Sequence, residues 1–306
     1  MEHVALDRFV QMKDLGIFGR TRLELREGLS ATENYLVCLG GSQTYGREIE
    51  RPVTAHLSAA TGMTVANFGV RNAGWDAFMR EASVLEAASS ARICLIQIVG
   101  AQNTSNRFYR MHPRRNDRLV APSTVLSALY SEVDFSEFTF TRHLLGSLYS
   151  VSYERFETVV EELRQAWVAR LRALIREIEA PVLLYWLSDR PLSDQPWDLL
   201  RDPMSRDPLF VTRSMVQAVA HHADGFVEIA PPVGKPRLKR PFLSLRDSSV
   251  PGEDLDEAAH SAAAEALLPE IEALLEKRRP AKMTGLQNYK SMIRSKLLGE
   301  LRKGVK

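Results

Sequence analysis

The sequence predicts an α/β protein: a three-layer αβα sandwich around a five-stranded, mostly parallel sheet, with a helical insertion after the third strand. Three observations carry this expectation. Short apolar runs of strand length alternate with longer segments whose apolar residues recur at helical spacing. The leading runs stop at glycines and turn residues, as buried parallel strands do. The 306 residues, 45% hydrophobic and 25% charged, suffice for one large core.

The first strand is YLVCLGG, residues 35–41. A helix follows, with Pro52 in its first turn and Gly62 closing it. MTVANFG (63–69) is the second strand, and WDAFMREASVLEAAS reads as a second amphipathic helix. RICLIQIVG (92–100) is the third strand. Residues 101–150 then interrupt the alternation, which marks a lid or a substrate-shaping segment. A long helix runs from about Tyr153 to Glu179, with Phe156, Val159, Val160, Leu163, Trp167, Leu171, Leu174 and Ile178 on one stripe. PVLLYWL (181–187) is the fourth strand, VTRSMVQAVAHHAD a helix, GFVEIAP the fifth strand, and a final helix spans about Leu255 to Lys277. The chain therefore divides into an N-terminal extension (1–34), the α/β domain (35–276) and a tail (277–306).

Charge is uneven. The segment from Lys277 onward carries a balance of +9, against −7 for the remainder. In the tail, Tyr289, Ile293, Leu297, Leu301 and Val305 recur every four residues among lysines and arginines. Such a basic amphipathic helix, over 286–305, can lie on an anionic membrane surface, pack on a partner or dock on its own domain. An acidic body without a reader motif argues against nucleic-acid binding. The N-terminus mixes charges among its apolar residues and reads as no signal peptide, and no apolar run approaches the roughly 20 residues of a membrane span. Cys38 and Cys94 lie inside strands without metal spacing, so the expectation is a cytoplasmic protein with no metal and no cofactor, peripheral at the membrane if the tail binds there.

In a parallel sheet the ligand site lies beyond the carboxyl ends of the strands, so the residues after each strand are the ones to inspect. After the first strand comes Gly40-Gly41-Ser42-Gln43-Thr44-Tyr45-Gly46, a turn that either exposes a serine or is merely tight and serine-capped. The second strand ends Asn67-Phe68-Gly69-Val70-Arg71-Asn72-Ala73-Gly74, and the third ends Gly100-Ala101-Gln102-Asn103. A serine turn, a glycine, an asparagine and a histidine near the last helix, in that order, resemble the SGNH hydrolases, over roughly residues 35–275. The wording of GGSQTYG, GVRNAGWDAF and GAQNTSNRFYRMHPRRNDR is similar to a narrower bacterial family of unknown function.

The resemblance implies a flavodoxin-like strand order and a catalytic serine. Ser42 would be the nucleophile, and its own N–H, a backbone N–H at Gly69 or Gly74 and the Asn103 amide would form the oxyanion hole. Two extra residues lie between Asn67 and Gly74 relative to the family pattern. The family histidine position falls on Asp254, and His260 stands six residues later. Either Glu257-x-x-His260 replaces the usual DxxH, with Glu257 orienting a general base, or Asp254 caps the helix, Glu257 completes a capping box and His260 is structural. His112 is the substitute base. It lies among five arginines in twelve residues, of which Arg107, Arg114 and Arg115 could grip an anion unless acids such as Glu132 hold them.

The function expected is thus a serine esterase or O-acyltransferase acting through an acyl-serine on a small anionic or carbohydrate-type substrate. The alternative is a non-catalytic SGNH-fold protein that binds an anionic ligand through its arginines.

Overall fold

Four of the five strands of the central sheet are buried along their whole length, and this dictates the architecture seen in a computed structural model of the chain, which describes residues 34–46, 49–113, 115–195, 204, 207–231 and 255–277. The element order is β1 (Tyr35–Gly40), α1 (Ser42–Tyr45), α2 (Val53–Thr61), β2 (Thr64–Gly69), α3 (Asp76–Met79), α4 (Ala82–Ser90) and β3 (Ile93–Gln97). The insertion holds β4 (Tyr109–Met111), β5 (Leu119–Pro122), α5 (Thr124–Leu129), a 3-10 turn (Phe135–Glu137) and α6 (Thr141–Val151). Then come α7 (Tyr153–Glu177), β6 (Val182–Leu187), α8 (Arg213–Ala220), β7 (Gly225–Ile229) and α9 (Glu257–Lys277).

The sheet order is β2-β1-β3-β6-β7, and all four pairings are parallel. This is the flavodoxin-like order, with its switch point between β1 and β3. Alternate residues serve opposite faces. Val37, Leu39, Cys94, Ile96, Leu184 and Trp186 face a core closed by α3, α4, α6, α7 and α8. Leu36, Cys38, Val65, Leu95, Leu183 and Tyr185 face a second core closed by α2 and α9. Each fully buried aliphatic side chain contributes about 2 kcal/mol of transfer free energy.

Three expectations change. The segment 75–89 forms two helices, because Glu81 is extended (φ −107°, ψ 93°) and breaks the run between α3 and α4. The insertion is not wholly helical: β4 and β5 pair antiparallel. The last helix starts at Glu257, capped by Asp256, whose Oδ1 accepts the Ala259 N–H at 2.9 Å. The long stripe is confirmed, with Phe156, Val159, Val160, Leu163, Trp167, Leu171, Leu174 and Ile178 all buried. Among the described residues, no helix is long and apolar enough to cross a membrane. The N-terminal extension up to residue 33, Arg114, Asp254 and the basic tail beyond Lys277 lie outside the described residues.

Candidate active site

Ser42 is the first residue of α1, immediately beyond the carboxyl end of β1 and at the switch point. A four-residue helix cannot sustain itself. Buried side chains from three strands hold it instead. Gln97 Oε1, at the end of β3, accepts the Gly41 N–H at 3.0 Å, the Thr44 N–H at 3.1 Å and the Thr44 hydroxyl at 2.7 Å. The Tyr185 hydroxyl of β6 lies 2.8 Å from Thr44 Oγ1. Asn67 of β2 donates to the Thr44 carbonyl at 2.7 Å. Thr44, Gln97 and Asn67 are all buried, whereas Ser42 and Gln43 remain partly open.

The second wall is the loop after β2. Asn72 is left-handed at φ 53°, a conformation asparagine tolerates better than most residues. Its N–H donates to Ser42 Oγ at 3.4 Å. Its carbonyl accepts from Asn103 Nδ2 at 3.0 Å, and its own Nδ2 donates to Asp117 Oδ2 at 3.2 Å. Asn116 Oδ1 accepts the Gly74 N–H at 2.9 Å, while its Nδ2 holds the His112 and Pro113 carbonyls. The insertion thus clamps the loop that faces the serine.

This arrangement corrects the expected donors. The Gly69 N–H is committed to Asn67 Oδ1 at 2.9 Å and the Gly74 N–H to Asn116, so neither is free for an oxyanion. Both glycines serve close approach instead: an added Cβ would lie 2.2 Å from Tyr45 N at Gly69 and 1.9 Å from the Asn103 carbonyl at Gly74. The Asn72 amide reaches the serine in their place. Asn103 sits within the shell, with one N–H spent on the Asn72 carbonyl and a second left to donate. The Ser42 N–H, in the first turn of a helix, has no intrahelical acceptor.

His260 is placed elsewhere. It is fully buried in the seam between α9 and α2, and its Nδ1 accepts the Val53 N–H at 3.1 Å, capping α2. An imidazole whose Nδ1 accepts carries its proton on Nε2 and has no lone pair left for the serine proton. Burial, reinforced by neighbouring His56, lowers its pKa to about 4. Glu257 is exposed and acts electrostatically on His56, so the predicted Glu257–His260 pair is not formed. His112 Nδ1 is likewise engaged, accepting the Arg115 N–H at 3.1 Å.

Of the arginines, Arg107 is locked onto Glu162 of α7 at 2.8 Å and pins the insertion, rather than waiting for substrate. Glu132 pairs with Arg155 instead of the cluster. Arg115 is exposed in the turn that carries Asn116 and Asp117. Gln97, Tyr185, Asn116 and Asp117 were missed in the sequence. A lone polar residue within an apolar strand, as in ICLIQIVG, is the signal that could have revealed Gln97. Among the described residues, no group of three or more His, Cys, Asp or Glu could hold a metal.

The flavodoxin-like sheet thus carries a serine turn after its first strand and an asparagine after its third. Residues 8–275 match the family described as a domain of unknown function (DUF6473), and the chain belongs to that family. No curated protein matches it. Similar solved structures include a carbohydrate esterase family 2 enzyme with a carbohydrate-binding domain from Corynascus thermopiles (Myceliophthora fergusii), at 13% identity over 80% of this chain and 67% of that one, TM-score 0.43. A carbohydrate acetylesterase family member from Sinorhizobium meliloti is 12% identical over 79% and 99% of the two chains, TM-score 0.42. An acetylxylan esterase from Geobacillus stearothermophilus is 15% identical over 78% and 94%, TM-score 0.39.

Proposed function

We propose that the protein is a serine esterase or O-acyltransferase of the SGNH type. The observation that supports it is Ser42 Oγ lying at a helix start under the Asn72 N–H, inside a shell of oriented amides. In this reading Ser42 Oγ bonds to the ester carbonyl carbon and the carbonyl electron pair moves onto oxygen. The oxyanion is received by the Asn72 and Ser42 N–H groups and the second Asn103 N–H. Collapse expels the alcohol, which takes up a proton and leaves an acyl-Ser42. Water or an acceptor alcohol then releases the acyl group. With His260 and His112 both committed, the serine proton passes to a carboxylate at the cleft, and Asp117, fastened beside Asn72, is the candidate. Exposed Arg115 in the same turn suits an anionic substituent on the substrate.

One observation favours a second reading. Neither ring offers a free lone pair to activate Ser42, as expected of a protein that binds a ligand without cleaving it. Reaction with a fluorescent fluorophosphonate separates the two. The enzyme reading expects labelling of the wild type that falls by more than about a hundredfold in Ser42→Ala. A folded wild type that takes no label moves the binding reading into first place.

A further inference from the structure

We infer that Gln97 is the positioning residue of the serine turn: its one side-chain oxygen gathers the amides on either side of Ser42 and so presents Ser42 to the cleft. The inference rests on the reading of Ser42 as nucleophile and goes beyond it by naming what holds the nucleophile. Its grounds are geometric. Three donors converge on Gln97 Oε1, two of them from Thr44 and one from Gly41, so the acceptor grips residues 41 and 44 and skips 42 and 43. The fit is close, since a Cβ on Gly40 would fall 2.7 Å from both Gln97 Cβ and Oε1. Gln97 comes from β3, whose Ile96 pairs with Leu39 of β1, so the sheet register sets its height beside the turn.

The physical consequence is a division of the first-turn amides of α1. A helix start leaves its leading N–H groups without internal acceptors. Here the Thr44 N–H and the preceding Gly41 N–H are drawn down into the sheet by Gln97. The Ser42 N–H is not among the amides that Gln97 takes. Thr44 is braced independently by the Tyr185 hydroxyl and by Asn67 on its carbonyl, so the grip has three sides. Without the Gln97 oxygen, the Gly41 and Thr44 amides would be buried and unpaired, and the turn would shift to reach water or another acceptor. A displacement of the nucleophile by about 1 Å is enough to cost on the order of a hundredfold in reactivity.

The test compares Gln97→Leu, which removes the acceptor, with Gln97→Glu, which keeps an oxygen there, and with Val219→Ala, a core truncation on α8 away from the turn. Two quantities are read: the second-order rate of fluorophosphonate labelling of the folded full-length chain, and hydrogen exchange of the Gly41 and Thr44 amides. The inference expects Gln97→Leu to label about a hundredfold more slowly and to lose protection at both amides. Gln97→Glu should stay within about tenfold of wild type, and Val219→Ala should label at the wild-type rate. Wild-type labelling by folded Gln97→Leu overturns the inference, as does equal slowing in Gln97→Leu and Val219→Ala. If the wild type itself takes no label, the esterase reading fails, and the exchange arm alone decides: unchanged protection in Gln97→Leu removes the proposed grip, while its loss at residues 41 and 44 upholds it.

Discussion

The serine turn after β1 and the seam between α2 and α9 use the same interaction, a buried side-chain atom accepting main-chain amides, with opposite consequences for chemistry. In the turn, Gln97 takes the Gly41 and Thr44 amides and leaves the serine between them partly open. In the seam, His260 takes the Val53 amide, and the acceptor is itself the ring that the sequence offered as a general base. A glutamine oxygen accepts several donors without changing its protonation, whereas an imidazole has one lone pair and is consumed by one donor. The same bond thus builds a site in one place and closes one in the other.

The largest expected effect tests whether the turn is as tightly built as this comparison requires. Gly69→Ala sets a methyl 2.2 Å from Tyr45 N and 2.6 Å from Thr44 C, both backbone atoms that cannot swing away. A loss of at least about 3 kcal/mol is expected, read as a fall of roughly 5 °C in melting temperature. Near-normal stability would mean that the turn is pliable and that the contrast with the seam is weaker than drawn.

The second effect concerns the seam and has a defined sign. The folded pKa of His260 lies at about 4, below the unfolded value of 6.5, because burial and then His56 disfavour the charged ring. The unfolded chain therefore binds the extra proton first. His260 contributes its full stabilisation above about pH 6.5 and loses it as pH falls toward 4, a change of order 3 kcal/mol. His56, also lowered, adds to the same trend. Gln can accept the Val53 amide but does not titrate, so His260→Gln should flatten the stability profile between pH 4 and 6.5, measured by denaturant unfolding. It should also label with fluorophosphonate within about threefold of wild type at pH 8. A loss of about a hundredfold in this variant would return His260 to the reaction and break the comparison.

The smallest expected effect belongs to Glu257. Being exposed and unpaired with His260, its replacement in Glu257→Gln should change stability by no more than about 0.5 kcal/mol and leave labelling unaltered. A clear drop in labelling would reinstate the Glu257–His260 pair.

Particular residues show how far the sequence reading reached. The stripe from Phe156 to Ile178 and the strands were legible because burial imposes a 3.6-residue period on a helix and a continuous apolar run on a strand covered on both faces. Ser42 was legible because glycines and polar residues after an apolar strand mark the strand's end. Asn103 follows the third strand as read, and its amide donates to the Asn72 carbonyl. The donor beside Ser42 was not legible: two glycines looked like amide donors, yet a non-glycine at φ 53° presents its N–H instead. Nothing local to Asn72 announces that geometry, which the insertion residues Asn103, Asn116 and Asp117 impose from outside the loop.

What the sequence determined by itself is therefore the periodic part: the five strands, the helices between them, the parallel class and the position of the serine at the head of β1. Those features follow from patterns that extend over neighbouring residues. The tertiary structure alone decided the pairing of polar groups. Val53 and His260 are 207 positions apart, and Thr44 and Tyr185 141 apart, so no local pattern links them. A main-chain amide takes whichever acceptor the packed sheet and helices bring within 3 Å. That choice tied Gln97 to the serine turn and made His260 a helix cap.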